Sequence, residues 1–494
     1  MRKTVNSYAK HVSLILCGDG SVLARGEMLR HGEAAMSVET LDARRTTANG
    51  GARPAGAALA QIPGDNGWPF VGHTLAIIAD HRRFIEGRVQ RFGMVYRTRA
   101  FGHANVTMLG PEANELVFLD PQKMFSSALG WGIVLDQLFP RGLMLLDFDE
   151  HRLHRRTLSV AFKADPMRSY LAGLNAGIAK GLAHWPRRRE FKFYPAIKQL
   201  TLDLAATSFL GGDLGPEVEA VKRAFIAMVA ASISVIRAPL PGTRFSRGVR
   251  GRALLADYFN RQIPLRRERG GDDLFSHLCR ATWEDGTLLS NADIVGHMNF
   301  LMMAAHDTLT SSLTSFVDRL AANPDWQEKL RAEHRGLGLA TDEPLPYDRL
   351  DDLPLTEMAF KEALRLMPPV PSIPRRALRE FDFKGFRIPA NIGVTVSPIY
   401  THYMPELWPD PDRFDPMRFT AEATRGRHKF AFVPFGGGAH MCLGLHFAYM
   451  QAKCFTWHFL NNFRVTVPPD YQVPWRMLPI PYPRDGLPVT LAPV

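Results

Sequence analysis

Cysteine is scarce in this chain: four thiols, at positions 17, 279, 442 and 454, in 494 residues. They form no closely spaced ligand pairs and no framework of the kind that staples small secreted domains, so free thiols and a reducing compartment are expected. Long apolar runs are missing too. No stretch of about eighteen apolar residues occurs, and the opening MRKTVNSYAKHVSLILCGDG has an apolar centre too short and too interrupted for a membrane span or a secretory leader. These absences predict a soluble, cytoplasmic protein with no transmembrane anchor. Internal repeats and nucleic-acid motifs are lacking as well. The net charge of +11 comes from scattered arginines, which favours an acidic partner surface and no nucleic acid.

What the chain has is bulk: 46% hydrophobic and 22% charged residues over 494 positions, enough for a large core. Residues 1–60, rich in Gly, Ala, Arg and Thr and without sustained periodicity, read as a flexible N-terminal extension, with Met36 as an alternative start. Residues 61–494 read as a single domain. IPGDNGWPFVGHT is a turn-rich entry, LAIIADHRRFIEGRVQRFG has helical spacing, and MVYRTRAFGHANVTMLG alternates and breaks at Gly102, as a hairpin does. Helical spacing then dominates to about residue 367. A β-rich patch, FDFKGFRIPANIGVTVS, precedes an irregular proline-rich stretch from Pro405 to Lys429 and a final helix from about Leu443. The expected fold class is mainly α.

The stretch FVPFGGGAHMCLG sets Cys442 in a loop almost bare of side chains, at the entry to that last helix. Backbone N–H groups and a helix N-terminus there are expected to lower the thiol's pKa and favour thiolate. A nucleophile would want a base and an acid nearby, and a tetrahedral zinc site three more ligands at short spacing; neither set is evident. A single thiolate under a bare loop suits a flat cofactor that brings four equatorial ligands of its own, which is haem.

FGGGAHMCLG resembles the haem-binding loop of the cytochrome P-450 superfamily, whose F-x-x-G-x-x-x-C-x-G pattern is met by Phe435, Gly438, Cys442 and Gly444. The resemblance covers about residue 62 to the C-terminus. It implies a triangular helical domain with small β-sheets and a long central helix over the haem. It also implies haem b with Cys442 as the axial, iron-binding ligand, and Phe435, Gly436 and Ala304 against the cofactor. Glu362 and Arg365 in FKEALRLMPPVPSIPRR resemble the family's E-x-x-R, and Arg418 in DPDRFDPMRF its P-x-R-F segment; together they imply a buried charge network holding the thiolate loop. A long helix from about Ser290 to Asn323, with Ser290 as N-cap, carries AAHDT, which resembles the oxygen-activation motif A/G-G-x-D/E-T with Ala305 in place of the usual glycine. Ala304, Asp307, Thr308 and Ser311 are expected on one face. Asp307 and Thr308 then become the catalytic pair, delivering protons while dioxygen is split. A core helix whose threonine back-bonds to a carbonyl is the alternative reading of the same residues.

Haem carries two propionates, and the family's positions for their partners fall on His151, Arg155, Arg375 and His440, with His154 and Arg376 as neighbours. The closing YPRDGLPVTL and the segment APLPGTRFSRGVRGRALL look most like the branch of retinoid hydroxylases and sterol demethylases, soluble bacterial members included. The function implied is a monooxygenase that takes O2 as co-substrate and acts on a lipophilic small molecule of isoprenoid, retinoid, sterol or fatty acid type. Its pocket would be lined by the Ser127 to Leu145 region, the Ala304 face, Val370 to Ile373 and the Leu478 to Tyr482 turn. Electrons would come from a ferredoxin-type partner with its NAD(P)H reductase, docked beside Arg156, Arg427, Lys429 and Lys453. A haem-thiolate peroxygenase or isomerase and a non-catalytic haem sensor are the rivals. Neither needs the acid-alcohol pair.

Overall fold

The computed structural model describes residues 59–187, 190–211, 217–232, 234 and 237–494, so nearly all of the expected N-terminal extension lies outside the described residues. The architecture is built around one long helix, Asn291–Ala322. Ser290 caps it by accepting from the Asp293 amide at 3.1 Å, and Asp293 in turn takes the Ser290 hydroxyl at 2.6 Å and Arg141 at 2.7 Å. Asn323 and Pro324 end it as the sequence predicts. Most of its positions are buried all round, which is why its sequence shows no clean polar face. It packs on the helices Phe193–Leu210 and Pro354–Leu366, with a Thr201–Thr310 hydroxyl contact of 2.6 Å in the first seam.

The strands are short and peripheral. In chain order they are β1 Val95–Ala100, β2 His103–Met108, β3 Phe125–Ser126, β4 Glu190–Lys192, β5 Ile373–Ala377, β6 Phe381–Phe383, β7 Phe386–Ile388, β8 Gly393–Val396, β9 Phe463–Thr466, β10 Trp475–Arg476, β11 Tyr482–Pro483 and β12 Pro488–Pro493. A five-stranded sheet runs β1-β2-β8-β5-β3, a three-stranded sheet β4-β12-β9, and two ribbons pair β6 with β7 and β10 with β11. The β1–β2 hairpin turns at Phe101-Gly102, both with positive φ, in register Ala100 opposite His103.

Two local expectations change. The continuous helical pattern from Leu75 to Gly93 is two helices, Thr74–Ala79 and His81–Phe92, because Asp80 goes extended and spends its carboxylate on capping Arg83 N at 3.0 Å. The strands after the final helix, Leu445–Asn462, were not anticipated: β9 and β12 are ordered by pairing with distant segments rather than by their own pattern.

Candidate functional site

The loop before the final helix is held by backbone geometry that only glycine tolerates. Gly438 sits at φ +60°, and a Cβ there would stand 1.8 Å from the Phe118 carbonyl oxygen; Gly436 is left-handed as well, at φ +68°. The loop closes when the Cys442 N–H donates to the Phe435 carbonyl at 2.9 Å. Cys442 is thereby enclosed by protein but open to an internal cavity. Its thiol differs from the sequence expectation: burial pushes it up, and the Gly444 N–H and the positive charge of Arg155 only partly oppose this. A cation on the cavity side is what would hold it as thiolate.

That cavity encloses about 1400 Å³ of empty space, open mouth included, and its lining is mostly apolar with a few convergent polar groups, as in a small-molecule pocket. Cys442, Phe435 and Gly436 form one wall and Ala304 and Thr308 another, with Trp131, Phe300 and Val370 between them. His151, Arg155, Arg375 and His440 all open into it. The two imidazoles lie face to face, ring centroids 3.8 Å apart. Among the described residues none of these four makes an ion pair. Burial and mutual repulsion push His151 down to about 4 and His440 to about 2, and burial takes Arg375 to about 10. Four basic groups crowded on a cavity without a counter-anion fit a ligand that brings carboxylates. A thiol between bare glycines fits a flat face. The residues therefore suit haem. His154 and Arg376 do not reach the cavity: His154 bonds His297 at 2.7 Å and Arg376 the Asn391 carbonyl at 2.9 Å. The Leu478 to Tyr482 turn, expected in the lining, stands behind the central helix, where Ser311 donates to the Pro481 carbonyl at 2.7 Å.

The central helix does not present its four motif residues on one face. Ala304 and Thr308 line the cavity and Ser311 and Asp307 do not. Thr308 donates to the Ala304 carbonyl at 2.5 Å, so its oxygen faces the cavity as an acceptor. Asp307, about 100° further round, turns to the neighbouring helix, 3.4 Å from Lys198 Nζ and 3.2 Å from His306 Nδ1. Burial favours its neutral form, but contacts with His306 and the Lys198 charge outweigh it and hold the carboxyl below its usual value. Lys198, half-exposed, was invisible in the sequence because it lies over a hundred residues away.

Glu362 and Arg365 form a doubly bonded pair at 2.7 and 2.8 Å, fully buried, and Arg418 Nε stands 3.3 Å from the same carboxylate. Arg365 also donates to the His402 carbonyl, and the His402 ring accepts from Val433 N at 3.0 Å, which carries the network into the cysteine loop. His402 and Asn114, whose amide donates to the Phe430 carbonyl at 3.1 Å, anchor that loop and carry no motif. Two expected docking cations are structural instead. Lys453 is buried, bonded to the Leu350 carbonyl at 2.9 Å and to Glu357 at 2.7 Å, and Arg427 stacks on Trp408 at 4.1 Å.

A helical domain that closes a glycine-framed thiol and four basic groups around one large apolar cavity has the parts of a haem-thiolate enzyme. Comparison with known proteins agrees. The cytochrome P450 family model matches residues 62–481. Cytochrome P450 136 of Mycobacterium tuberculosis is 37% identical, over 89% of this chain and 90% of its own length. Taxane 10-beta-hydroxylase of Taxus cuspidata is 29% identical, over 87% and 89%. The solved structure of retinoic acid-bound cyanobacterial CYP120A1 superposes with a TM-score of 0.79 at 32% identity, covering 87% of this chain and 99% of that one. The chain belongs to the cytochrome P450 family and is a haem monooxygenase.

Proposed function

We propose that this enzyme inserts one oxygen atom from O2 into an isoprenoid-type lipophilic substrate, with haem b bound by Cys442 and electrons supplied by a ferredoxin-type protein and its NAD(P)H reductase. The observation that carries the reading is that Cys442 and Thr308 face the same cavity, with Asp307 behind Thr308 on a path to Lys198. When bound, thiolate-ligated haem supplies the electron density that favours O–O cleavage. The protein's own residues do the rest. His151, Arg155, Arg375 and His440 would neutralise the two propionates, and Gly436 and Phe435 would lie under the ring. Trp131, Phe300, Leu301, Leu309, Val370 and Ile373 exclude water and hold an apolar substrate. The Ser127 and Ser312 hydroxyls are spent on the Met144 and Thr308 carbonyls, so apolar contact dominates there.

Proton supply falls to Asp307 and Thr308. The His306 ring meets the Lys198 carbonyl through Nε2 at 3.0 Å, and the Asp307 carboxylate stands 3.4 Å from the ammonium of that half-exposed lysine, which ties it to solvent. Release of Asp307 from Lys198 would let the carboxyl carry a proton from solvent toward Thr308. A peroxygenase, isomerase or haem sensor would have no use for this arrangement. The isoprenoid assignment is supported by relatives whose names include taxane hydroxylases and beta-amyrin monooxygenases, and by retinoic acid in the related structure. The test is the reduced carbon-monoxide spectrum, together with a screen of retinoids, sterols, terpenes and fatty acids for displacement of the iron's axial water. An isoprenoid hit with NADPH- and ferredoxin-dependent product formation is expected. Turnover with hydrogen peroxide alone and none with the redox chain would overturn the electron-transfer part.

A further inference from the structure

The basic groups of the cavity gather in one corner. Arg155 lies one turn beyond His151 on the helix Phe148–Ser159, the His151 and His440 rings stack 3.8 Å apart, and Arg375 joins them from β5. The two guanidinium charges there match two propionates one for one. Among the described residues no other Arg or Lys lines the cavity, and no Asp or Glu does. Arg237 reaches the helix Ser127–Leu135, but it is spent on the Ser232 and Val134 carbonyls at 3.1 and 3.0 Å. With both propionates met, the described lining has no charge left to offer a substrate.

The hydroxyls of the lining all have the same sense. Ser127 donates to the Met144 carbonyl at 2.9 Å, Thr308 to that of Ala304 at 2.5 Å and Ser312 to that of Thr308 at 2.8 Å. Each has a single hydrogen, so what it can turn to a ligand is lone pairs. The neutral donors of the lining are the Trp131 indole and, on the helix that follows Cys442, the Gln451 amide. Behind Ser127 stands an anion: the Asp147 carboxylate accepts from the Ser127 and Ala128 amides at 2.7 and 3.2 Å.

We infer that the cavity selects an uncharged lipophile, an isoprenoid alcohol or hydrocarbon, over the corresponding carboxylic acid, and that Ser127 Oγ accepts the substrate hydroxyl. The inference rests on the monooxygenase reading above and narrows its substrate class. A carboxylate entering the cavity surrenders its water shell and meets no free cation, and neutral donors do not offset that loss. Near Ser127 it also meets the charge of Asp147. A hydroxyl loses little: its one hydrogen goes to the Ser127 oxygen, which is 1% exposed as a residue and one helical turn before Trp131, whose ring supplies apolar contact. The related solved structure holds retinoic acid, so this chain is set apart from it by its lining and not by its fold.

The test is equilibrium binding to the full-length holoenzyme near neutral pH, read by displacement of the iron's axial water and independently by equilibrium dialysis. Two series are compared: geranylgeraniol, its methyl ether and geranylgeranoic acid, and tetradecanol, its methyl ether and tetradecanoic acid. Within the isoprenoid series the alcohol should bind about tenfold or more tighter than the acid, a difference of at least about 1.4 kcal/mol. Ser127→Ala should weaken the alcohol about fivefold and leave the methyl ether, which has no hydrogen to donate, unchanged. An acid that binds as tightly as its alcohol in either series would overturn the inference, and so would no binding by any member. Equal loss of alcohol and ether in Ser127→Ala, or loss of neither, would overturn the role of Ser127. Binding confined to the straight-chain alcohol and ether would uphold the selection against charge while overturning the isoprenoid reading on which the substrate class rests.

Discussion

The Val433 amide donates to His402 Nε2 over 3.0 Å while the other ring nitrogen, Nδ1, meets the Arg365 carbonyl at 3.2 Å. A carbonyl can only accept, so Nδ1 carries the proton and the ring is neutral. One buried imidazole thus joins the Glu362–Arg365–Arg418 network to the strand of chain that leads to Cys442. His402→Phe should strand a buried amide and a buried carbonyl, at about 1–3 kcal/mol each, and loosen the loop. A lower denaturation midpoint with faster haem loss is expected, and His402→Gln, which can donate and accept, should recover part of both. Equal stability of the Phe and Gln variants would mean the ring only fills space.

The same histidine sets a pH dependence. Burial lowers His402 and His297 from 6.5 to about 3 and His81, His334 and His458 to about 4. Folded-state values below the unfolded one mean that these groups support stability above pH 6.5, and that the support is lost as pH falls toward 3 or 4. Between those limits the unfolded chain binds protons that the folded chain refuses, about 1.4 kcal/mol per pH unit for each histidine fully engaged. Urea midpoints should fall steeply from pH 7 to pH 5, and less steeply in His402→Gln. A midpoint independent of pH over that range would contradict the buried neutral rings.

How much of this was legible in the sequence follows from what each residue depends on. The cysteine loop, the Glu362–Arg365 pair and the cap at Ser290 are set by neighbours within a few positions, and the sequence shows them. So did the β1–β2 hairpin, whose alternation and turn are local. Asp307 was misplaced because helical phase alone puts it near Thr308, whereas Lys198 on another helix decides which way it turns. Arg427 and Lys453 read as surface cations until Trp408 and Glu357 were found beside them. His402 has no motif, since its role consists only of contacts to residues 37 and 31 positions away.

Cys442→Ser should abolish thiolate ligation, because a hydroxyl is far less acidic than a thiol and burial at this position disfavours any anion further. The reduced carbonyl complex should lose its thiolate-type Soret band. Persistence of that band in the serine variant would remove Cys442 from the iron.

Thr308→Ala should uncouple electron use from product. The hydroxyl that donates to Ala304 leaves its oxygen open to the cavity, and without it protons arrive less selectively, so peroxide release rises at the expense of hydroxylation. Thr308→Ser should restore coupling. Lys198→Met tests the other end of the path: with its ion partner gone Asp307 is freed, and the solvent isotope effect on turnover should change while substrate binding does not. Unaltered coupling in Thr308→Ala would leave the back-bond as that residue's whole role.

The redox partner gives the last prediction, and the structure narrows it. Of the four cations proposed near the cysteine loop, Lys429 and Arg156 remain exposed. Arg156 follows Arg155, a cavity residue, on the helix Phe148–Ser159, and its contact with Glu284 is a surface pair worth little. Arg427 donates to the Arg418 and Ala423 carbonyls at 3.1 Å each and stacks on Trp408, so its replacement should act on stability. Arg156→Glu/Lys429→Glu should therefore slow reduction by an acidic ferredoxin about tenfold or more at low salt, within the roughly 10–10³ that steering supplies. The deficit should vanish near 1 M salt, where the Debye length is about 3 Å. Arg427→Glu should instead lower the melting temperature at every ionic strength. Should the double variant be reduced as fast as the parent at low salt, the partner docks elsewhere, and the cavity chemistry would be untouched by that result.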